Sequence, residues 1–230
     1  MRAARMLLEE EAPATPDPRW DDATFHAWCE YNIDDYYSIG WLKVGYLRRV
    51  AAEGGTLTRR QEMPAAAFHF GIPPDSVSIF AWDASWLSRL HAGPEGDQLI
   101  QAATALHQCG ASDDDLVFFD FTCVPMIPRS EVEELLFRNY LTKSACIANY
   151  WRVRQIMMPR IPEHSKFKGY LKRGWSNVFL TQFLYCQEIV YPSGKGWEDV
   201  EGIMKEAGPR PREIQRHSRL DQSIRMDKRT

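Results

Sequence analysis

The hydrophobic pattern of this chain changes part-way along its length. Aromatic and aliphatic side chains recur every three or four positions over residues 23–52, which predicts one or two helices. A short alanine-rich helix is expected over 65–70, because Pro64 precedes it and Gly71 follows it. We therefore expect a helical N-terminal extension over residues 23–72.

Three predicted strands then alternate with three predicted helices. The strands cover 77–82, 116–121 and 151–158, and the helices cover 97–109, 130–148 and 174–189. Ser130 and Glu133 form a capping box that begins the second helix. The third strand suits an edge or half-exposed position, since Arg152 and Arg154 alternate with apolar residues. Strands joined through helices form mainly parallel sheets, so we expect a three-layer α/β domain over 73–208.

The two ends of the chain have compositions unlike a folded core. Residues 1–22 end in an acidic, proline-containing stretch, which predicts an extended arm. Residues 209–230 contain seven Arg or Lys, three acids and few large apolar side chains. We expect this basic tail to be extended as well.

Charge and composition narrow the classes of function. The 28 basic and 31 acidic residues nearly cancel, which argues against bulk binding to nucleic acid or anionic membranes. Five cysteines without a CxxC pair indicate neither a zinc ribbon nor a disulfide framework, so an intracellular, reducing compartment is expected, either the cytoplasm or an organelle matrix or stroma. The histidines lack metal-binding spacing, and neither a GxxxxGK[ST] nor a GxGxxG loop occurs. We predict no metal, no cofactor and no membrane span.

Polar side chains follow the predicted strands where ligands bind in open parallel sheets. Asp83, Asp120 and Arg129 are expected around one crevice, where Asp120 could bind a ribose hydroxyl and Arg129 a phosphate. Asp120 could instead cap its own loop by accepting backbone N–H bonds. Cys123 is a candidate nucleophile if His91 or His164 approaches it, the alternative being a buried apolar role.

Two segments carry a resemblance to a known family. Phe-Asp-Phe-Thr-Cys-Val-Pro at 119–125 and Tyr-Leu-Lys-Arg-Gly-Trp at 170–175 resemble a divergent TIR-like domain, and also its heterokaryon-incompatibility-like branch. The resemblance covers 77–189 and implies a TIR/flavodoxin-like sheet with Arg173 and Trp175 beside the crevice. Catalytic members of the group cleave NAD with a glutamate four residues after the tryptophan, a position that is Phe179 here. The resemblance therefore implies a site with no catalytic residue.

The chain is rich in aromatic residues before position 42. We predict that some of them anchor protein contacts, with core packing as the alternative; they are Trp20, Trp28, Tyr36, Tyr37 and Trp41. Arginines of the basic tail are predicted to contact acidic partner surfaces; they are Arg210, Arg212, Arg216, Arg219 and Arg225. Nucleic acid is the second partner class considered for this tail.

Three functions are consistent with these features. The leading hypothesis is a non-catalytic TIR-like domain that acts as an interaction subunit of a larger intracellular assembly. The second is a nucleotide or nucleoside hydrolase, similar to an NAD glycohydrolase, in which Asp120 or Glu188 is the acid and Arg129 or Arg173 binds phosphate. The third is an RNA-contacting subunit that binds through the basic tail.

Overall fold

A computed structural model describes residues 21–84, 86–87, 91–143, 147, 150–158 and 189–190. The helices within these residues are α1 (Asp22–Cys29), α2 (Val44–Ala52), α3 (Asp97–Gln108), α4 (Asp120–Cys123) and α5 (Glu131–Lys143). The strands are β1 (Asn32–Ile33), β2 (Tyr36–Tyr37), β3 (Trp41–Lys43), β4 (Phe68–His69), β5 (Ile79–Ala84), β6 (Leu116–Phe118), β7 (Val153–Met158) and β8 (Ile189–Val190). The fold is therefore α/β.

The main sheet is mixed, with the strand order β4-β3-β6-β5-β7-β8. Strand β5 pairs in parallel with β6 and β7, and β7 pairs in parallel with β8. Strand β3 is antiparallel to both β4 and β6. Strands β1 and β2 form a separate antiparallel hairpin. The sheet thus has a parallel half, β5 to β8, and an antiparallel edge made of β3 and β4.

Helices pack against both faces of the sheet. On one face, Phe118 of β6 contacts Trp28 of α1 and Tyr140 of α5, with ring centroids 6.4 and 5.8 Å apart. On the opposite face, the Arg154 guanidinium lies 5.0 Å from the ring of Phe80 and donates to a carbonyl at the end of α3. Side chains alternate between faces along a strand, so one short strand can contact both layers.

The capping box predicted at residue 130 is confirmed. The Glu133 carboxylate accepts from Ser130 N–H at 2.7 Å, and Ser130 Oγ accepts from Glu133 N–H at 3.2 Å. These bonds satisfy backbone donors that a helix N-terminus leaves without intrahelical partners. Helix α5 begins at the next residue because its first turn is closed in this way.

The region predicted as a helical extension is only partly helical. Strand β3 lies between α1 and α2 and joins the main sheet, and 65–70 forms a 3₁₀ turn followed by β4. The prediction of a purely helical extension over 23–72 is therefore wrong. A three-residue strand is too short to show an alternating pattern, so its pairing with β6 decided its conformation.

Trp28 and Trp41 lie in the hydrophobic core, with 1% and 0% of their surfaces exposed. Trp41 packs against Phe25, Trp28 and Phe118, and Phe25 stacks on Tyr150 with centroids 3.7 Å apart. The role of interface anchors predicted for Trp28 and Trp41 is wrong, and core packing is the correct alternative. Aromatic residues at helical spacing fit either role, so the sequence pattern did not separate them.

Two strands differ from their predicted form. Strand β7 is not an edge strand, because β5 and β8 flank it on both sides. The half-exposed alternative is correct, since Arg154 and the preceding Arg152 are half-buried. Arg152 donates to the Pro74 carbonyl at 2.6 Å and to Asp75 at 2.9 Å. Strand β6 ends at Phe118, and α4 starts at Asp120 within the strand predicted over 116–121.

Several predicted features lie outside the described residues. These include Trp20, Arg173, Trp175, Phe179, the basic tail and most of the helix predicted over 174–189, although Ile189 itself belongs to β8. None of the helices within the described ranges is long and apolar enough to cross a membrane.

Candidate functional site

The candidate site lies at the carboxyl ends of the parallel strands. From β5 the chain continues through α3 to β6 on one side and later reaches β7 on the other side. Connections that leave a central strand in opposite directions open a crevice beyond its carboxyl end. Asp83 is next to last in β5, and Asp120 follows β6 by two residues. The topology therefore places both predicted carboxylates at one edge of the sheet.

The Asp120 carboxylate is half-buried and accepts two hydrogen bonds. Its Oδ1 accepts from Phe121 N–H at 2.6 Å and from the Trp86 indole N–H at 3.3 Å. Burial raises the pKa of Asp120 to about 6, against the opposing effect of these two bonds. The backbone bond shows that the loop-capping alternative is correct in part. Both bonds use Oδ1, so Oδ2 has no hydrogen bond to the described residues.

Asp83 and Asp120 influence each other. Burial raises the pKa of Asp83 well above its usual value, and the negative charge of Asp120 raises it further. Among the described residues, no cationic side chain lowers the pKa of Asp120. Two such carboxyl groups hold a proton near neutral pH more readily than ordinary surface acids. Together they can accept and donate hydrogen bonds to a ligand with neighbouring hydroxyl groups.

Aromatic side chains line the region around Asp120. The Trp86 ring meets the Phe121 ring edge-on at 5.3 Å, and the His91 ring lies 4.8 Å from Phe121. His91 Nδ1 accepts from Gly93 N–H at 3.0 Å, and the ring also bonds to the Leu57 backbone. Burial lowers the pKa of His91, which favours the neutral form of its ring. Phe121 is buried, whereas the rings of Trp86 and His91 are half-buried and suit a flat, uncharged group beside the carboxylates.

Arg129 is not part of the Asp83–Asp120 pair. Its Nε donates to the Pro125 carbonyl at 2.7 Å, and its Nη1 donates to Glu134 at 3.0 Å. The guanidinium also lies 3.4 Å from the centre of the Phe137 ring. These contacts fix the 125–130 loop against α5 and use Nε and Nη1, and the role of phosphate ligand predicted for Arg129 stays a prediction.

A separate groove of about 580 Å³ lies at the start of α5. Its lining residues are Ile127, Arg129, Ser130, Glu131, Glu134, Leu135 and Arg138. Ile127 and Leu135 are largely exposed there. Neither Asp83 nor Asp120 lines this groove, so it is not the crevice predicted from the strand ends.

The nucleophile hypothesis for Cys123 is wrong. Its side chain is fully buried, its Sγ accepts from Phe119 N–H at 3.2 Å, and its thiol donates to the Val117 carbonyl at 3.6 Å. Burial raises the pKa of the thiol to about 11, so the reactive thiolate is scarce at pH 7. His91 is bonded to other groups, and His164 lies outside the described residues.

Sequence reasoning missed two residues that shape this part of the molecule. Trp86 holds Asp120, although its position three residues after Asp83 gave no separate signal. Arg60 is buried and donates to the Ser38 carbonyl at 2.8 Å and the Cys123 carbonyl at 3.2 Å, with its guanidinium 4.7 Å from the Tyr36 ring. A buried arginine bonded to carbonyls has no sequence pattern. No group of three potential metal ligands occurs within the described ranges.

Tyr36 and Tyr37 are half-buried in the β1–β2 hairpin, in contrast to the two core tryptophans. The Tyr37 ring stacks on Phe70 with centroids 5.7 Å apart. Burial raises the pKa of the Tyr36 hydroxyl. Both rings keep part of their surface available for contacts, so the interaction predicted for them stays a prediction.

The chain matches no protein-family model, no curated protein and no solved structure.

Proposed function

We propose that this chain is a TIR/flavodoxin-like domain that binds a ribose-containing ligand at Asp83 and Asp120 without cleaving it, as an accessory subunit of a larger assembly. The observation that carries the proposal is the pair of half-buried carboxyl groups at the carboxyl ends of parallel strands. The parallel strands β6-β5-β7-β8 follow the order 2-1-3-4, which supports a flavodoxin-like arrangement.

The chemistry of the pair favours a sugar hydroxyl over a phosphate. Carboxylate oxygens accept from hydroxyl groups, and a carboxyl group that keeps its proton can donate one hydrogen bond in return. The negative charge of a phosphate is repelled by ionised carboxylates, whereas a neutral hydroxyl group is not. The half-buried ring of Trp86 offers apolar surface to a base, and the buried ring of Phe121 packs against it. A nucleoside combines both groups.

The absence of cleavage is proposed from the sequence resemblance. Phe179 occupies the position where catalytic members of the group have a glutamate. A phenyl ring cannot stabilise the positive charge that develops on the ribose when a glycosidic bond breaks. We therefore expect binding without turnover.

Binding and turnover can be measured separately on the purified chain. Adenosine and NAD are titrated by calorimetry, and nicotinamide release from NAD is followed by chromatography. We expect nucleoside binding that weakens about tenfold or more in Asp120→Asn, because the variant loses the charge of Oδ2 but keeps a carbonyl oxygen for Trp86. Asp114→Asn, which changes an exposed acid, should bind as the wild type does.

Two results would overturn the proposal. Absence of nucleoside binding by the wild type would show that the site does not bind the proposed ligand. Nicotinamide release that disappears in Asp120→Ala would show that the chain is an enzyme and not only a binding domain. Such an enzyme is the second candidate function, and the pKa of Asp120 near 6 favours it because a general acid must hold its proton close to neutral pH.

A further inference from the structure

The β1–β2 hairpin presents an acidic and aromatic surface that the proposed function does not use. Its turn consists of Asp34 and Asp35, and Glu30 precedes β1. All three are exposed, and none forms an ion pair with another described residue. The aromatic members are Tyr31, Tyr36, Tyr37 and Phe70. We call these seven residues the hairpin surface.

The amino-acid composition of the β1–β2 turn is unusual. Asp34 and Asp35 both have left-handed backbone conformations, with φ of 51° and 62°. Two-residue turns of this geometry favour Asn-Gly or Asp-Gly, since glycine adopts positive φ without steric cost. Two adjacent carboxylates add mutual repulsion at the tip. Asp34 and Asp35 are therefore unfavourable residues for this turn, but they place two negative charges in solvent.

The aromatic part of the surface already accepts one guanidinium. Arg60 lies beneath it, with its guanidinium carbon 4.7 Å from the Tyr36 ring and 5.5 Å from the Phe70 ring. The outer side of the surface is open, because 40% of Tyr31 and 36% of Phe70 are exposed. Arginine side chains stack on aromatic faces and pair with carboxylates, so this combination suits an arginine-rich segment.

The chain contains such a segment at residues 209–230. Its seven Arg or Lys against three acids give it a net charge of +4, opposite to that of the hairpin tip. The hairpin contacts Phe70, which follows β4 at one edge of the sheet, and β8 forms the other edge. Five strand spacings of about 4.8 Å separate these edges by about 24 Å. The 19 residues from 191 to 209 can span up to about 60 Å, so the segment can reach the hairpin.

We propose that the hairpin surface binds residues 209–230 of the same polypeptide. The basic segment is then held on the domain by ion pairs to Asp34 and Asp35 and by stacking on the exposed aromatic rings. This assignment gives the segment an intramolecular partner and does not depend on ligand binding at Asp120.

Limited digestion of the full-length chain with trypsin tests the contact, because trypsin cleaves after Arg and Lys in accessible segments. Intact mass measured over time reports cleavage within 212–229. In Asp34→Asn/Asp35→Asn we expect this cleavage to be about fivefold faster than in the wild type, since two exposed ion pairs are lost. Asparagine tolerates positive φ, so the turn is preserved. Raising the NaCl concentration to about 0.5 M should speed cleavage of the wild type but not of the variant, relative to a reference peptide.

The matched control is Glu53→Gln/Asp114→Asn, which removes the same charge from two exposed acids outside the hairpin surface. It should be cleaved as slowly as the wild type, and thermal melting confirms that all three proteins are folded. Equal cleavage rates in the hairpin variant and the wild type would overturn the proposal. Protection that disappears on dilution would also overturn it, because the segment would then bind a second copy.

Discussion

The two halves of the main sheet differ in the chemistry of the side chains that they bury. The antiparallel edge, β3 with β4, lies beside a cluster of buried aromatic rings in which Trp41 has no exposed surface. The parallel half, β5 to β8, holds two carboxyl groups whose charged forms are disfavoured by burial. The first half stabilises the fold through apolar packing, whereas the second half contains two carboxyl groups whose ionisation should reduce the stability of the fold. The comparison shows why the candidate site is found at the parallel strands.

Truncation of Trp41 should have the largest effect on the free energy of unfolding. Trp41→Ala removes contacts with Phe25, Trp28 and Phe118, and we expect the free energy of unfolding to fall by about 3–5 kcal/mol. Urea denaturation measures this change. The control is Tyr31→Ala, which removes an exposed ring and should change stability by less than about 0.5 kcal/mol. Equal effects of the two substitutions would show that the aromatic cluster is not the main source of stability.

Substitution of Asp120 should change the free energy of unfolding in the opposite direction to Trp41→Ala. Because its pKa is raised to about 6 by folding, the folded state binds the proton more tightly than the unfolded state does. Stability is then greatest below the ordinary pKa of aspartate and falls as the pH rises to about 6, by up to about 3 kcal/mol. Asp120→Asn should therefore be more stable than the wild type at pH 8, with little difference at pH 4.

Urea denaturation at several pH values between 4 and 8 measures this dependence. Asp114→Asn is the control, since it changes an exposed acid and should retain the pH dependence of the wild type. A loss of stability in Asp120→Asn at pH 8 would mean that the carboxylate stabilises the fold. The contrast between the two halves of the sheet would then be wrong.

The smallest effect on stability is expected at the start of α5. This helix packs its Tyr140 on Phe118 of β6, and β6 is the strand that joins the two halves of the sheet. Ser130→Ala removes the hydroxyl that accepts from Glu133 N–H, which should cost about 1 kcal/mol. Ser130→Asn keeps a capping acceptor and should lose less. If both variants are as stable as the wild type, the cap does not contribute to anchoring this helix on the sheet.

Local patterns were sufficient for several elements of the parallel half, although not for β8 or the end of β6. The apolar runs that became β5 and β7, the helix between β5 and β6, and the capping box of α5 could all be predicted because neighbouring residues determine them. The position of Asp83 and Asp120 at one edge of the sheet was also predictable, since the carboxyl ends of parallel strands share an edge. The contacts of Arg129 with Pro125 and Glu134 could not be predicted, because no spacing in the sequence reveals these hydrogen bonds.

The sequence by itself determined the alternation of strands and helices, the carboxylates at the strand ends and the start of α5. Only the tertiary structure decided that 41–43 is a strand, that Trp28 and Trp41 are core residues, and that Trp86 holds Asp120. The physical reason is the range of the interactions. Periodicity and capping depend on residues a few positions apart, whereas burial and the pKa of a carboxyl group depend on side chains that the fold brings together from distant segments.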